Sequence, residues 1–310
     1  MTGIEWTDRT WNPVTGCTKV SPGCDRCYAE NIARRFAGSP AFPNGFDVTL
    51  RPERLAQPRG WRKPARVFVN SMSDLFHADV PDAFIARVWA VMAATPRHTY
   101  QVLTKRHGRM RALLSSPSFG HLVAEEGRRH VIGCQQDWVA VGAMLAHDVL
   151  SLPDGRGRVV PRPLPNVWVG VSAEDQRRAE LRIPALLGTP AAVRFVSAEP
   201  LLGPIDLSRW LGIERYDSFG WGEEMFAALN GRVGGGLHWL IVGGESGPGA
   251  RPMRPAWARD LVEQCHAAHV PVFVKQLGSA HGPHKGSDTA TWPPELRVRE
   301  WPTARPEVAS

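Results

Sequence analysis

What the chain lacks narrows its class before any motif is considered. It contains no run of about 18 apolar residues able to span a bilayer. Its opening residues, Met1 to Asp8, do not show the positively charged and then apolar pattern of a secretory leader. A cytoplasmic protein with no membrane partner is therefore expected. No internal repeat or low-complexity tract is evident. Cysteine is scarce, five in 310 residues, and cytoplasmic thiols stay reduced, so a disulfide scaffold is not expected. The composition, 43% hydrophobic and 22% charged, suffices for one large domain or two small ones with a real core.

Three of the five cysteines are clustered. Cys17, Cys24 and Cys27 have six residues between the first pair and two between the second, with Pro22 and Gly23 in the longer gap. A Cys-x-x-Cys pair places two thiolates on one turn, and a third brought round by the loop completes a tripod for iron or zinc. Three protein ligands leave a fourth position open. A structural zinc normally takes a fourth Cys or His, and His77, Cys134 and Cys265 lie far off in sequence. A 4Fe–4S cluster on three cysteines would instead offer its unique iron to a substrate or cofactor. The cluster, a zinc site and a plain thiol pair all stay open at this point.

The formal charge is +7, and the cations are grouped: Arg59, Arg62, Lys63 and Arg66; Lys105, Arg106, Arg109 and Arg111; Arg128 and Arg129. Such groups can neutralise phosphates, so DNA or RNA is the partner expected for Arg59–Arg66 and Lys105–Arg111. The alternative is an arginine-rich surface with no partner. Twelve tryptophans could stack bases beside these arginines, although most belong in the core. Nothing in the sequence marks an oligomeric state.

Six short apolar runs read as buried strands, at 66–70, 100–105, 166–172, 193–197, 238–243 and 271–276, after a first strand ending near Trp11. Continuous rather than alternating apolarity points to parallel strands covered on both faces. Between them, Phe84, Ile85, Val88, Trp89 and Met92 recur at helical spacing after Asp79 and Pro81. Ala258, Leu261, Val262 and Cys265 repeat the pattern after Pro255, which makes Cys265 a core residue. A further helix runs from Tyr28 to about Phe36. The alternation predicts an α/β fold, a (β/α) barrel, complete or partial, over residues 1–278, with a doubly wound open sheet as the competitor. Two stretches, at about 115–165 and 208–236, read as insertions, and residues 279–310 as a polar tail over the surface. Cys134, in the first stretch, reads as a packing residue.

In a parallel barrel the loops that follow the strands share one rim, and ligands bind there. The strand ends here are polar: Asn70, Ser71, Ser73 and Asp74; Thr104 and Lys105; Ser172 and Glu174; Ser197 and Glu199; Gly243, Gly244 and Glu245; Lys275 and Gln276. A single Ser-x-Glu after a strand is most often a helix cap. Six polar ends in register instead predict one pocket around the cysteine loop. Its carboxylates suit ribose hydroxyls or an amine, and its lysines a carboxylate or phosphate. Glu199, Glu245 and Lys275 are the candidate catalytic groups.

Several segments together resemble a known family. The stretch from Trp6 through Asn12 and Pro13 to Cys17, the cysteine loop, Val102 to Arg106, Val196 to Gly203, Ile241 to Gly247 and Phe273 to Gly278 are similar, in this order, to a phage-associated three-cysteine family described as radical SAM-like. The likeness covers most of residues 4–278. It implies a 4Fe–4S cluster on Cys17, Cys24 and Cys27, an electron donor, and S-adenosylmethionine bound through its amino and carboxylate groups to the open iron. Reductive cleavage would then give a 5′-deoxyadenosyl radical that abstracts hydrogen. It also puts Asn70, Ser71, Ser73 and Asp74 where the methionine amine is usually held. Thr104 and Lys105 resemble the Thr-Lys of spore photoproduct lyase-like enzymes, with the lysine at the methionine carboxylate, and Ser172 and Glu174 fall near the ribose.

The superfamily's usual first cysteine gap is shorter than the six residues found here, so this loop has to fold back to present its thiolates. The function implied is radical chemistry on nucleic acid, in base modification or repair. A non-catalytic iron–sulfur or zinc protein of a phage or defence module, and a radical SAM enzyme for a small molecule or protein, are the alternatives. Cys134 would return a hydrogen atom only if its segment folds over the pocket.

Overall fold

In the computed structural model of the chain, the described residues are 4–146, 149–151, 157–159, 162–211 and 236–302. The strands are β1 (Arg9–Trp11), β2 (Val14–Thr15), β3 (Thr49–Leu50), β4 (Arg66–Val69), β5 (Thr99–Thr104), β6 (Val149–Ser151), β7 (Gly157–Val159), β8 (Val167–Ser172), β9 (Val193–Ala198), β10 (Trp239–Gly243) and β11 (Val272–Gln276). The helices are α1 (Tyr28–Arg35), α2 (Asp82–Ala93), α3 (His107–Leu114), α4 (Pro117–His130), α5 (Trp138–Ala146), α6 (Gln176–Leu187), α7 (Ser208–Leu211) and α8 (Pro255–Ala267).

Seven strands form one sheet in the order β1-β4-β5-β8-β9-β10-β11, and each neighbouring pair is parallel. The order follows the sequence without reversing. A doubly wound sheet requires such a reversal, so that competitor is excluded. Among the described residues β1 and β11 do not pair with each other. The curled sheet is thus a half-barrel, the partial form of the (β/α) barrel.

Alternation along the strands separates two cores. Val67, Val69, Tyr100, Val102, Val169 and Val171 face outward against the helices. Trp6, Phe68, Trp168, Phe195, Trp239, Ile241 and Phe273 fill the concave side. The Trp6 and Phe68 rings lie 4.7 Å apart, and Trp6 meets Trp239 edge-on at 6.0 Å. Gly170 makes this filling possible, because a Cβ there would stand 2.6 Å from the Phe195 ring.

The 115–165 stretch folds as α4, α5 and the antiparallel pair β6–β7. Helix α4 packs on α2, and Glu126 pairs with Arg87. That cover explains why α2 is buried on nearly every side, from Phe84 to Ala93, instead of on one stripe. Cys134 packs against this outer layer with its thiol toward Val131 O at 3.2 Å. Cys265 is fully buried in the core. The 208–236 stretch opens with α7, and residues 212–235 lie outside the described residues.

Residues 279–302 do more than lie over the surface. Trp292 and Leu296 are buried in the outer core. Val274 N–H donates to Val298 O at 2.9 Å and Glu300 N–H to Val272 O at 3.0 Å, so this segment runs along the free edge of β11. Trp301 Nε1 then reaches Trp6 O at 3.4 Å, and Arg299 pairs with Glu5. The segment links the last strand of the half-barrel to the residues that precede the first. Among the described residues, no helix is long and apolar enough to cross a membrane.

Candidate functional site

Parallel strands gather the following loops at one rim, and there β1 leads into the cysteine loop. Asn12 Oδ1 accepts Met72 N–H at 3.0 Å and the Ser71 hydroxyl at 3.2 Å, which fastens the loops after β1 and β4 together. Ser73 Oγ donates to Val14 O at 2.8 Å. Gly16 bridges to Ser73, and Cys17 N–H donates to Phe46 O at 3.1 Å. Gly16 holds φ at +85°, and a Cβ there would stand 2.1 Å from Asp47 O. Gly16→Ala is therefore expected to displace Cys17 and to lower stability by more than about 1 kcal/mol, read as a shifted urea midpoint.

Cys17, Cys24 and Cys27 are free and partly buried, and all three line one open cleft. Arg106 Nη1 donates to Cys17 Sγ at 3.3 Å. Burial pushes the Cys17 thiol up and Asp74 adds to this, with Arg106 opposing both. Cys24 Sγ stands 4.0 Å from Ser21 Oγ, and Cys27 is the N-cap of α1. His77 is engaged with the Thr18 hydroxyl at 2.8 Å. Among the described residues, no three His, Cys, Asp or Glu side chains converge so as to share one metal ion.

Trp6 and Phe68 line the same cleft, as do Asn70, Ser71, Ser73, Asp74, Thr104, Lys105, Ser172, Ser197, Glu199, Glu245 and Lys275. Asn70, at φ +60°, is 2% exposed, and among the described residues neither atom of its side-chain amide has a hydrogen-bond partner. Asp74 is fully engaged: Oδ1 accepts from Thr104 Oγ1 at 2.7 Å and Phe76 N–H at 3.0 Å, and Oδ2 from Lys105 N–H at 3.0 Å. Asp74 and Thr104 thus join two loops to each other. Lys105 Nζ donates to Ser172 Oγ at 3.3 Å, and the Ser71 carbonyl takes the Tyr28 hydroxyl at 2.5 Å. Lys275 Nζ and Glu199 Oε1 form an ion pair at 2.5 Å between the ends of β11 and β9.

Glu174 and Glu245 hold the cysteine loop. Glu174 is fully buried, and its carboxylate accepts from Arg182 at 2.8 Å and from Gly23 N–H at 3.3 Å. Burial would raise its pKa, but Arg182, the Ser21 hydroxyl and Lys105 outweigh that and hold the carboxyl below its ordinary range. On the other side Glu245 pairs with Arg251, whose Nη2 donates to Pro22 O at 2.9 Å. Burial raises Glu245 too, and Arg251 overrides it. Arg106, Arg182 and Arg251 are the residues that sequence reasoning missed in these roles. The only available signal was an arginine eight residues after Glu174 and another six after Glu245.

The grouped cations divide between the two ends of the barrel. Arg66 begins β4 at the rim opposite the cysteine loop, where it pairs with Asp8 at 2.9 Å. Arg59 donates to Ile132 O at 2.5 Å. Lys105 and Arg106 line the cleft, whereas Arg109 is bound to the carbonyls of His77 and Val80 and to Asp82.

A half-barrel of parallel strands, with three free cysteines and an open cleft at the carboxyl ends of its strands, places the chain in the (β/α)-barrel class. Within that class it belongs to the family described as "Protein of unknown function (DUF5131)", whose model matches residues 1–301. No curated protein matches the chain. Among solved structures, spore photoproduct lyase complexed with dinucleoside spore photoproduct is similar at a TM-score of 0.39 and 11% identity, over 84% of this chain and 74% of that one. A likeness of that depth decides nothing about the chemistry of the cleft.

Proposed function

We propose that the chain is a radical SAM-like iron–sulfur enzyme acting on nucleic acid. The observation that carries this reading is the joint placement, in one cleft, of three free cysteines and the buried Asn70 amide, which has no hydrogen-bond partner among the described residues. Buried polar groups are nearly always satisfied, so an orphaned donor and acceptor aimed into a cleft favour a missing ligand. Cys17, Cys24 and Cys27 would hold a 4Fe–4S cluster. Such a cluster spreads its thiolates over separate irons and does not need the close convergence that one tetrahedral zinc imposes. When bound, it supplies the electron for cleavage of S-adenosylmethionine to a 5′-deoxyadenosyl radical.

The chain's own residues then have distinct tasks. Asn70 offers both a donor and an acceptor to the amino acid end of S-adenosylmethionine. Lys105 meets its carboxylate, and Ser71, Ser73 and Ser172 take the remaining polar atoms. Asp74, Thr104 and Glu174 act on the loops rather than on the ligand. Trp6, Phe68 and Leu103 form an apolar floor that keeps water from the reacting atoms. The Glu199–Lys275 pair can hold or pass a proton at the substrate, and Lys105 and Arg106 favour a polyanion at the mouth.

Anaerobic reconstitution followed by iron and sulfide analysis tests the reading, together with an assay for 5′-deoxyadenosine under dithionite. Asn70→Gly, which tolerates the positive φ, is expected to weaken S-adenosylmethionine binding about tenfold by calorimetry while the iron content stays unchanged. Zinc in place of iron, or a loaded cluster that yields no 5′-deoxyadenosine, would sink the reading.

A further inference from the structure

Beside the cysteine side of the cleft lies an exposed apolar surface. Tyr28, Ile32 and Phe36 follow one another at one-turn intervals along α1 and its C-cap, and are 42%, 39% and 50% exposed, while Ala29 and Ala33 face inward. Among the described residues, the other exposed large apolar side chains beyond the cysteine loop are Ile132, Val139 and Leu181. Scattered residues of that kind need no explanation, but a continuous stripe does. Tyr28 also lines the cleft, so the stripe begins at the mouth and runs outward for about 12 Å, with about 6 Å between side chains.

Cations accompany the stripe. Lys19, Arg26, Arg34 and Arg35 stand against two carboxylates, Asp25 and Glu30, on the loop and helix. Lys19 and Arg34 share Glu30. Arg26 has a long 3.8 Å contact with Glu245. Arg35 lies over the Phe36 ring at 5.7 Å and makes no ion pair among the described residues. Aromatic and aliphatic faces interleaved with guanidinium groups suit a strand of unpaired nucleotides, whose bases stack while the arginines meet phosphates. An acidic protein would meet the same charges, but a stable protein interface takes about 800 Å² from each partner. A single face of a helix of eight residues is narrow for that and well proportioned for a few nucleotides.

We propose that α1 is the track on which a single-stranded segment of nucleic acid docks, next to the nucleotide presented to the cleft. The proposal rests on the nucleic-acid part of the function above, and it moves the contact from the opposite-rim cations Arg59–Arg66 to Tyr28, Ile32, Phe36, Arg26 and Arg35. Reading a base inside the cleft requires it to leave any duplex stack, which an adjacent single-strand platform assists.

The test is fluorescence anisotropy of the full chain with a labelled thymidine 12-mer at several salt concentrations, with the melting temperature of each variant as the folding control. Phe36→Ala is expected to weaken binding about tenfold. Arg35→Gln is expected to lower the slope of log affinity against log salt by about 0.7. Both residues are exposed and lie outside the cleft, so iron loading should not change. Binding that survives both substitutions, binding lost instead in Arg62→Gln and Lys63→Gln, or a wild-type chain that does not bind the 12-mer, overturns the proposal. So does a stripe needed only for electron transfer from reduced ferredoxin, a small iron–sulfur electron carrier, because a protein would then be its occupant. A chain that binds the 12-mer through α1 yet forms no 5′-deoxyadenosine upholds this docking surface and removes the radical reading alone.

Discussion

Serine at Cys17, Cys24 or Cys27 is expected to abolish retention of iron and sulfide after anaerobic reconstitution, from about four iron atoms per chain to background. Each substitution alone suffices, because a cluster held by three thiolates has no protein ligand to spare. The unloaded variants should melt with the unloaded wild type, since all three thiols are partly exposed and no disulfide joins them. The remaining two cysteines provide the contrast. Cys134→Ser leaves iron content unchanged, as that thiol packs against the outer helices away from the cleft. Cys265→Ser also leaves the iron alone but lowers stability, because burial pushes that thiol up to about 12 and a hydroxyl there would be desolvated in the core of α8. Iron and sulfide analysis beside thermal melts separates these outcomes. Equal iron retention in all five variants would mean that the loop is not a cluster site.

The strands β4, β5 and β8 to β11 were legible because continuous valine, isoleucine and phenylalanine runs have few other uses in an α/β chain. The rim followed from them, since parallel strands bring their carboxyl ends together whatever the residues there do. Individual roles did not follow. Glu174 reads as part of a Ser-x-Glu cap, yet Asp175 is the residue that caps α6, and Glu174 turns inward to Arg182. Only the folded position of Arg182, on α6 beside the Glu174 carboxylate, distinguishes the two. Helix α1 hides its meaning similarly: Tyr28, Ile32 and Phe36 have the periodicity of a buried face, but Ala29 and Ala33 take the inward side because small residues let the helix lie close over the barrel. Trp292 and Leu296 stand alone in a proline-rich polar stretch, with no period to announce that they enter the core. Arg66 looked free in a basic run, and its pairing with Asp8 spans 58 residues.

The second large effect falls on the braces of the cysteine loop. Glu174→Gln leaves the Arg182 guanidinium, whose side chain is 5% exposed, without its counter-charge. Removing one partner from a buried ion pair typically costs about 3–5 kcal/mol, and that loss is expected in equilibrium denaturation. Much of it should return in the double variant Glu174→Gln with Arg182→Met, where no charge is stranded. Acid titration gives the sign independently. The folded-state pKa of Glu174 is lowered, so its contribution is complete above the unfolded value of about 4.3 and is lost as pH falls through the lower folded value. Wild type and Glu174→Gln should therefore differ most near neutrality and converge in strong acid. Arg251→Met removes the opposite brace, at Pro22 O, from a partly exposed position, so it should cost less stability while lowering iron retention. If both single variants keep full iron loading, the loop holds its thiolates without Glu174 and Glu245. The two carboxylates would then be structural groups of the barrel alone.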